Sequence, residues 1–259
     1  MIPSSKRLTP MNVCALLALG ISLMPPAASV ASSPSTSIDC KLAKTAVERT
    51  ICADPELATL DAALAAAYGD ALTRVRSERA LAAALTCERS EFLASRESVL
   101  RHPDTSLSRY MRSWRQWLEA ISGPSTSLQG VWINGSGSMV IRPRAAGGYT
   151  VVAKGDDPIR GSYTCEFIGI GRLRGDRIEV VWDTSEDEED GAEGWTLDIR
   201  RQGSLLELQQ RRNGSEAPTA PFCGSRGSLE GTYLPARVLP QPARAWHSAE
   251  EEGWRAPSR

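Results

Sequence analysis

Histidine is nearly absent from this chain, which has His102 and His247 among 259 residues. Neither belongs to a cluster with metal-ligand spacing, and neither can be paired with a nucleophile and an acid to form a triad. The sequence also contains no Gly-x-Ser-x-Gly segment, which would mark a nucleophile elbow. We therefore expect a protein that is not an enzyme and that needs no cofactor or metal.

An excess of either charge is lacking as well. Lys and Arg number 30 and Asp and Glu number 31, which leaves a formal net charge of −1. A protein that binds nucleic acid in general needs a basic surface to neutralise phosphates. The charge balance therefore excludes nucleic acid as an expected partner.

Long apolar runs are also missing, and the best candidate, at 13–24, is too short to span a bilayer comfortably. Two basic residues precede this run and the small residues Ser-Val-Ala follow it at 29–31, which is the order found in secretory signal peptides. We expect a signal peptide over residues 1–31, cleaved after Ala31 or alternatively after Ala28. The mature protein should then lie in the periplasm or be secreted, without a membrane partner.

Cysteine is scarce, and five remain in the predicted mature chain. Export makes disulfides plausible, and the odd number leaves at least one cysteine outside an internal pair. Cys165 and Cys223 form the natural pair in the second half. In the first half, a helix that folds back would bring Cys40 level with Cys87 on a later helix. We therefore predict Cys40–Cys87, with Cys52 buried and free.

Two helix starts lie close together in the first half of the chain. Thr45 and Glu48 have the spacing of a capping box, in which each side chain accepts from a backbone amide that lacks a helical partner. Asp54-Pro55 has the form of a second start, because Asp caps helix amides and Pro loses no useful donor there. We expect helices over about 46–52 and 55–77.

Apolar residues recur every three or four positions through the second helix and through two later segments. They predict a third helix over about 80–100 and a fourth over about 106–121. Trp114 and Trp117 belong to the stripe of the fourth helix, and we interpret them as core residues. The sequence therefore predicts a helical domain of about four helices over residues 32–123.

A spaced pattern of about thirty residues marks the start of this helical part. Its members are Cys40, Ala43, Thr45, Glu48, Ile51-Cys52-Ala53-Asp54-Pro55, Leu57-Ala58, Leu60-Asp61, Leu64 and Tyr68. The pattern resembles the lysozyme inhibitor LprI-like N-terminal domain family. The resemblance implies a small, secreted, all-helical, disulfide-bearing domain of bacterial envelope proteins, some of which are taken to inhibit lysozyme. It implies no catalytic residues. Val99 stands where that family usually has a later cysteine, so the disulfide connectivity does not carry over.

The second half has a different pattern, in which short alternating segments lie between Gly and Asn turns. The predicted strands are 130–134, 138–143, 149–153, 161–167, 177–182, 195–200, 204–209 and 229–233. About eight strands at this spacing favour an antiparallel barrel or sandwich in which consecutive strands are neighbours. We place this β-domain at 128–235 and a disordered tail at 236–259, which has no apolar period. The fold class expected is α+β in two separate domains.

Two single features receive structural interpretations. Gly169, Gly171 and Gly175 are spaced one residue off the dinucleotide-binding fingerprint, and we interpret them as turn glycines. Asp61 interrupts an apolar helix region, and we expect it to accept from a backbone donor or to pair with Lys41 or Lys44.

An unbroken run of acids stands between two predicted strands. Its members are Glu186, Asp187, Glu188, Glu189 and Asp190. Such a run is often only a solvated loop, but it can also attract a cationic partner. Animal-type lysozymes are strongly basic, so lysozyme or another basic envelope protein is the expected partner.

Inhibition of a lysozyme also needs donors that reach its two catalytic carboxylates. Residues of suitable chemistry near predicted strand ends are Ser136, Ser138, Lys154 and Arg160. An alternative function is the binding of a small apolar or cell-wall-derived ligand inside the barrel, with the helical domain as a scaffold.

Overall fold

The structure, a computed structural model, describes residues 37–102, 105–182, 195–212 and 220–238. The predicted signal peptide, the acidic run and the part of the predicted tail from residue 239 onward lie outside these residues. Within the described ranges, no helix has both the length and the apolar character needed to cross a membrane.

Helices make up the first part of the described chain. They are α1 (Ala46–Ala53), α2 (Pro55–Val75), α3 (Arg79–Arg101) and α4 (Leu107–Ala120). Both predicted helix starts are confirmed: Thr45 and Glu48 form the capping box of α1, and Asp54 accepts from the amides of Glu56 and Leu57 at the start of α2.

The strands that follow form a closed barrel in which each strand is antiparallel to the next and β8 pairs with β1. They are β1 (Gly130–Asn134), β2 (Gly137–Pro143), β3 (Tyr149–Asp156), β4 (Thr164–Arg174), β5 (Arg177–Trp182), β6 (Trp195–Gln202), β7 (Leu205–Arg212) and β8 (Gly231–Ala236). Of the predicted alternatives, barrel and sandwich, the barrel is confirmed, and consecutive strands are neighbours as predicted. The last strand and the Arg237 amide, which donates to Ala120, show that the predicted disordered tail begins too early.

This topology gives the barrel two distinct ends. The connections β1–β2, β3–β4, β5–β6 and β7–β8 lie at one end, which we call the loop end. The connections β2–β3, β4–β5 and β6–β7 lie at the other, which we call the hairpin end. Every second connection of an up-and-down barrel emerges on the same side, because successive strands run in opposite directions.

Alternation along the strands separates the barrel interior from its outer face. Interior side chains form one buried cluster, which includes Trp132, Met139, Val151, Phe167, Ile178, Leu197, Leu208 and Tyr233. The outward Ile133, Leu205 and Leu234 instead belong to the same buried cluster as the inward faces of the helices. The helices therefore pack against the outside of the barrel along β7, β8 and β1.

The helices and the barrel belong to one compact unit, Ser35–Arg259. Trp117 donates to the carbonyl of Asn134 at 2.9 Å, and the Ser204 amide donates to Glu78 at 2.8 Å, so polar contacts accompany the shared apolar core. The division into two separate domains stays a prediction.

Two disulfides join described residues. Cys165–Cys223 is the predicted pair, with Cα atoms 4.0 Å apart. The predicted Cys40–Cys87 pair is wrong, because Cys40 bonds to Cys52. Cys40 lies in the turn Asp39–Leu42 that precedes α1, and Cys52 lies in the last turn of α1. Their Cα atoms are 5.6 Å apart. Because α1 is short, its far end lies within reach of the residues that precede it. The prediction that Cys52 is free is therefore also wrong.

The glycines of β4 correct another prediction. Gly169 and Gly171 lie within the strand and not in a turn, and only Gly175 occupies the β4–β5 turn, with φ +64°. A Cβ atom at Gly169 would lie 2.3 Å from the carbonyl oxygen of Val181, and one at Gly171 would lie 2.5 Å from Ile178. These glycines leave room for the packed interior of the barrel.

Candidate partner-binding surface

The loop end brings together residues that are far apart in the sequence. Ser136 lies in the β1–β2 turn and Arg160 in the β3–β4 loop, both at this end. The acidic run 186–190 joins the end of β5 to the start of β6, and both of those strand ends are also at the loop end. The run itself lies outside the described residues.

The β1–β2 turn is held from three directions. Trp117 of α4 donates to the Asn134 carbonyl, and the Gly135 amide donates to the Glu88 carboxylate of α3 at 3.0 Å. On the other side, the Asp156 amide at the end of β3 donates to the Ser136 carbonyl at 2.9 Å. The position of the turn therefore depends on both the helices and the barrel.

The hydroxyl of Ser136 is engaged within the turn itself. The Asn134 side chain accepts from the Ser136 amide at 3.1 Å and from its hydroxyl at 3.4 Å. Ser136 is half-buried. Ser136 therefore stabilises the turn. Its hydroxyl could donate to a partner protein only after breaking its hydrogen bond to Asn134.

The β3–β4 loop is shaped by one carboxylate. Asp157 accepts from the amides of Ile159 and Arg160, each at 3.0 Å, and from the Ser162 hydroxyl at 2.6 Å. Burial acts to raise the pKa of Asp157, but these hydrogen bonds outweigh it and hold the pKa below its usual value. The Arg160 side chain is exposed and has no ion pair among the described residues.

Lys154 occupies a different environment from Arg160. It lies on the outer face of β3, is only 7% exposed, and its ammonium lies 2.5 Å from Glu166 of β4. Ser138 stands opposite Lys154 on β2 and is 3% exposed. Of the donors proposed from the sequence, Arg160 is therefore the one that the fold presents to solvent.

Two carboxyl groups that the sequence analysis missed flank the β1–β2 turn. Burial raises the pKa of Glu88 to about 8, the charge of Glu91 adds to this, and the Gly135 amide opposes it. Burial also raises the pKa of Asp156 to about 7, together with the charge of neighbouring Asp157. With these pKa values, both carboxyl groups change their protonation state near neutral pH, so the charge of the loop end depends on pH.

A signal for Glu88 was present in the sequence. Leu81, Leu85 and Phe92 form the apolar stripe of α3, and Glu88 lies three residues after Leu85 and four before Phe92. Arg96 continues the same spacing. A charged residue on an apolar stripe must be buried with a partner or lose its charge. The spacing therefore predicts that Glu88 and Arg96 are packed polar groups.

Arg96 is the partner of Asp61. Its guanidinium lies 3.0 Å from the Asp61 carboxylate, both side chains are buried, and the Ser37 hydroxyl also donates to Asp61. The predicted pairing with Lys41 or Lys44 is wrong, because a residue from a distant helix fills the place. This ion pair joins α2 to α3 and has a structural role.

Comparisons with known proteins add no identification. The chain matches no family model, and searches of curated proteins and of solved structures found no significant match. The resemblance to the LprI-like family therefore stays a prediction. In the part of the chain that the structure describes, three or more His, Cys, Asp or Glu side chains nowhere gather in a way that could hold a metal ion.

Proposed function

We propose that this is an exported binding protein of the bacterial envelope that inhibits lysozyme by covering its cleft with the loop end of the barrel. The supporting observation is that the acidic run is attached at the same barrel end as the exposed Arg160 and the Ser136 turn. In this proposal the helical domain supports the β1–β2 turn. Two disulfides are compatible with a periplasmic or secreted location.

The two charge types would serve different steps. A concentrated acidic run attracts a basic protein over several ångströms and speeds the encounter, an effect that salt screens. Arg160 would then donate to a carboxylate of the glycosidase cleft, which contains a pair of such groups. Binding of this kind involves no turnover and no cofactor.

The direct test is the lytic rate of a strongly basic, animal-type lysozyme with increasing amounts of mature protein. We expect inhibition that weakens as salt is added. If lysis continues at the same rate at micromolar protein under both low and moderate salt, the proposal is wrong.

A pair of charge reversals then locates the surface. Glu188→Lys should weaken inhibition about fivefold at low salt, because one exposed charge contributes roughly 1 kcal/mol. Asp70→Lys, on an exposed face of α2, is the matched control and should leave inhibition unchanged. Equal effects of the two reversals would show that net charge, and not the loop end, governs binding.

The alternative ligand function has less support. The inward side chains Trp132, Phe167 and Tyr233 are each at most 1% exposed, as expected of a barrel filled by its own residues. We therefore do not propose a ligand in the barrel interior.

A further inference from the structure

The β4–β5 hairpin carries an unusual share of the exposed apolar surface. Six large apolar side chains are exposed among the described residues, and three of them, Ile170, Leu173 and Val181, lie on this hairpin. Ile170 and Val181 are direct cross-strand partners, and Leu173 is the last apolar residue before the turn. Leu173 and Val181 are more than half exposed. Ile170 and Val181 lie on the outer face of the hairpin, whereas Leu173 alternates to the inner face at the end of the barrel, so both faces of the hairpin carry exposed apolar side chains.

Two arginines of the hairpin form no ion pair with the residues that the structure describes. Each of its acids forms an ion pair: Glu166 with Lys154, Asp176 with Arg200 and Glu179 with Arg177. Arg172 and Arg174, on either side of Leu173, are exposed and have no ion pair among the described residues. Its three basic and three acidic residues balance in number, so what distinguishes the hairpin is that these two exposed arginines, beside exposed apolar side chains, lie outside its ion pairs.

The shape of the tip favours a flat, deformable partner over a protein pocket. Residues 172–176 are all exposed, and a Cβ atom added at Gly175 would meet no atom within 4 Å. A convex tip of this kind can insert one leucine among acyl chains. The flanking arginines can keep their aliphatic stems in the interface and their guanidinium groups at the phosphates.

We propose that the β4–β5 hairpin docks the protein on an anionic phospholipid surface. Leu173 would enter the outer acyl region, and Arg172 and Arg174 would bind headgroup phosphates. The hairpin end lies opposite the loop end, so the acidic attachment point would face away from the lipid. A membrane partner was not expected from the sequence, because its best apolar run is too short to span a bilayer, but this mode of binding needs no spanning segment.

Co-sedimentation of the full mature protein with vesicles tests the docking. We expect binding to vesicles that contain phosphatidylglycerol, little binding to vesicles of phosphatidylcholine alone, and release by salt. Arg172→Gln with Arg174→Gln should weaken binding by about 25-fold, since each basic residue near an anionic surface strengthens it about fivefold. Leu173→Ser should weaken it by about tenfold.

Matched variants serve as controls. Arg76→Gln with Arg109→Gln removes two exposed arginines from the helical part, and Leu42→Ser removes an apolar side chain that is 66% exposed. These variants should bind as the parent does. Failure of the parent to sediment with anionic vesicles overturns the proposal, as expected if the hairpin docks on an acidic protein instead. Equal losses in hairpin and control variants also overturn it.

Discussion

At the scale of single residues, the two charged positions on the apolar stripe of α3 have different outcomes. Arg96 forms an ion pair with Asp61, whose carboxylate lies 3.0 Å away in the core. Glu88 forms no ion pair with the residues that the structure describes, and burial raises its pKa to about 8. Its carboxyl group is therefore mostly protonated at neutral pH, and it still accepts from the Gly135 amide.

The raised pKa of Glu88 predicts a loss of stability with rising pH. The folded protein holds this proton up to about pH 8, whereas the unfolded chain releases it near the ordinary value of 4.5. The unfolding free energy should therefore fall between these two values, by roughly 3 kcal/mol after allowance for partial exposure. Glu88→Gln should remove this part of the pH dependence and stabilise the protein at alkaline pH.

Denaturant unfolding at about pH 5 and about pH 9 measures the effect. Glu119→Gln, at an exposed position of α4, is the control and should unfold with the pH dependence of the parent. A Glu88→Gln variant with the same pH dependence as the parent would contradict the assignment.

At the scale of elements, the longest strand, β4, shows how close packing can require glycine at a strand position. The sequence did not predict the full length of β4, because glycines such as Gly169 and Gly171 are more typical of turns than of strands. A Cβ atom at either position would point toward the barrel interior, where the neighbouring strand β5 leaves no room for a methyl group. The helices, by contrast, were predictable, because capping and apolar spacing act within one turn.

Gly169→Ala should destabilise the barrel by about 1–3 kcal/mol, the usual cost of overpacking a core. The new Cβ atom would lie 2.3 Å from a backbone oxygen of β5, so the two strands would have to separate locally. Thermal unfolding measures the change. Gly69→Ala in α2 is a control of opposite sign: no atom lies within 4 Å of its Cβ position, and it should stabilise by about 0.5–1 kcal/mol. A fully stable Gly169→Ala variant would show that this strand pair is looser than described.

At the scale of the whole molecule, the outer face of the barrel is part of the core of the helices. Ile133 and Leu234 are fully buried in the same cluster as Leu85 and Met111. The Ser122 amide donates to the Pro235 carbonyl, and the Arg237 amide donates to the Ala120 carbonyl, so the end of β8 is bonded to the end of α4. The antiparallel strands were predictable from their alternation, but this shared core was not.

Ile133→Ala should lower the hydrogen-exchange protection of α4 as well as that of β1, because the cavity would open between the two. A cost of about 2–4 kcal/mol is usual for such a truncation. Met139→Ala, inside the barrel, is the comparison and should affect the strands first. If α4 kept its full protection in the Ile133→Ala variant, the helical and β parts would be independent domains, as the sequence predicted.

The sequence by itself determined where the helices begin, which residues face inward and that the strands are antiparallel, with consecutive strands as neighbours. Those features follow from interactions between residues close in the chain, such as the Thr45–Glu48 capping box. Only the tertiary structure decided that Cys40 bonds to Cys52, that Arg96 pairs with Asp61 and that Glu88 holds a proton beside Gly135. Each of these depends on which distant groups come into contact after folding and on how far they are buried from water. The spacing of residues along the chain determines neither the contacts nor the burial.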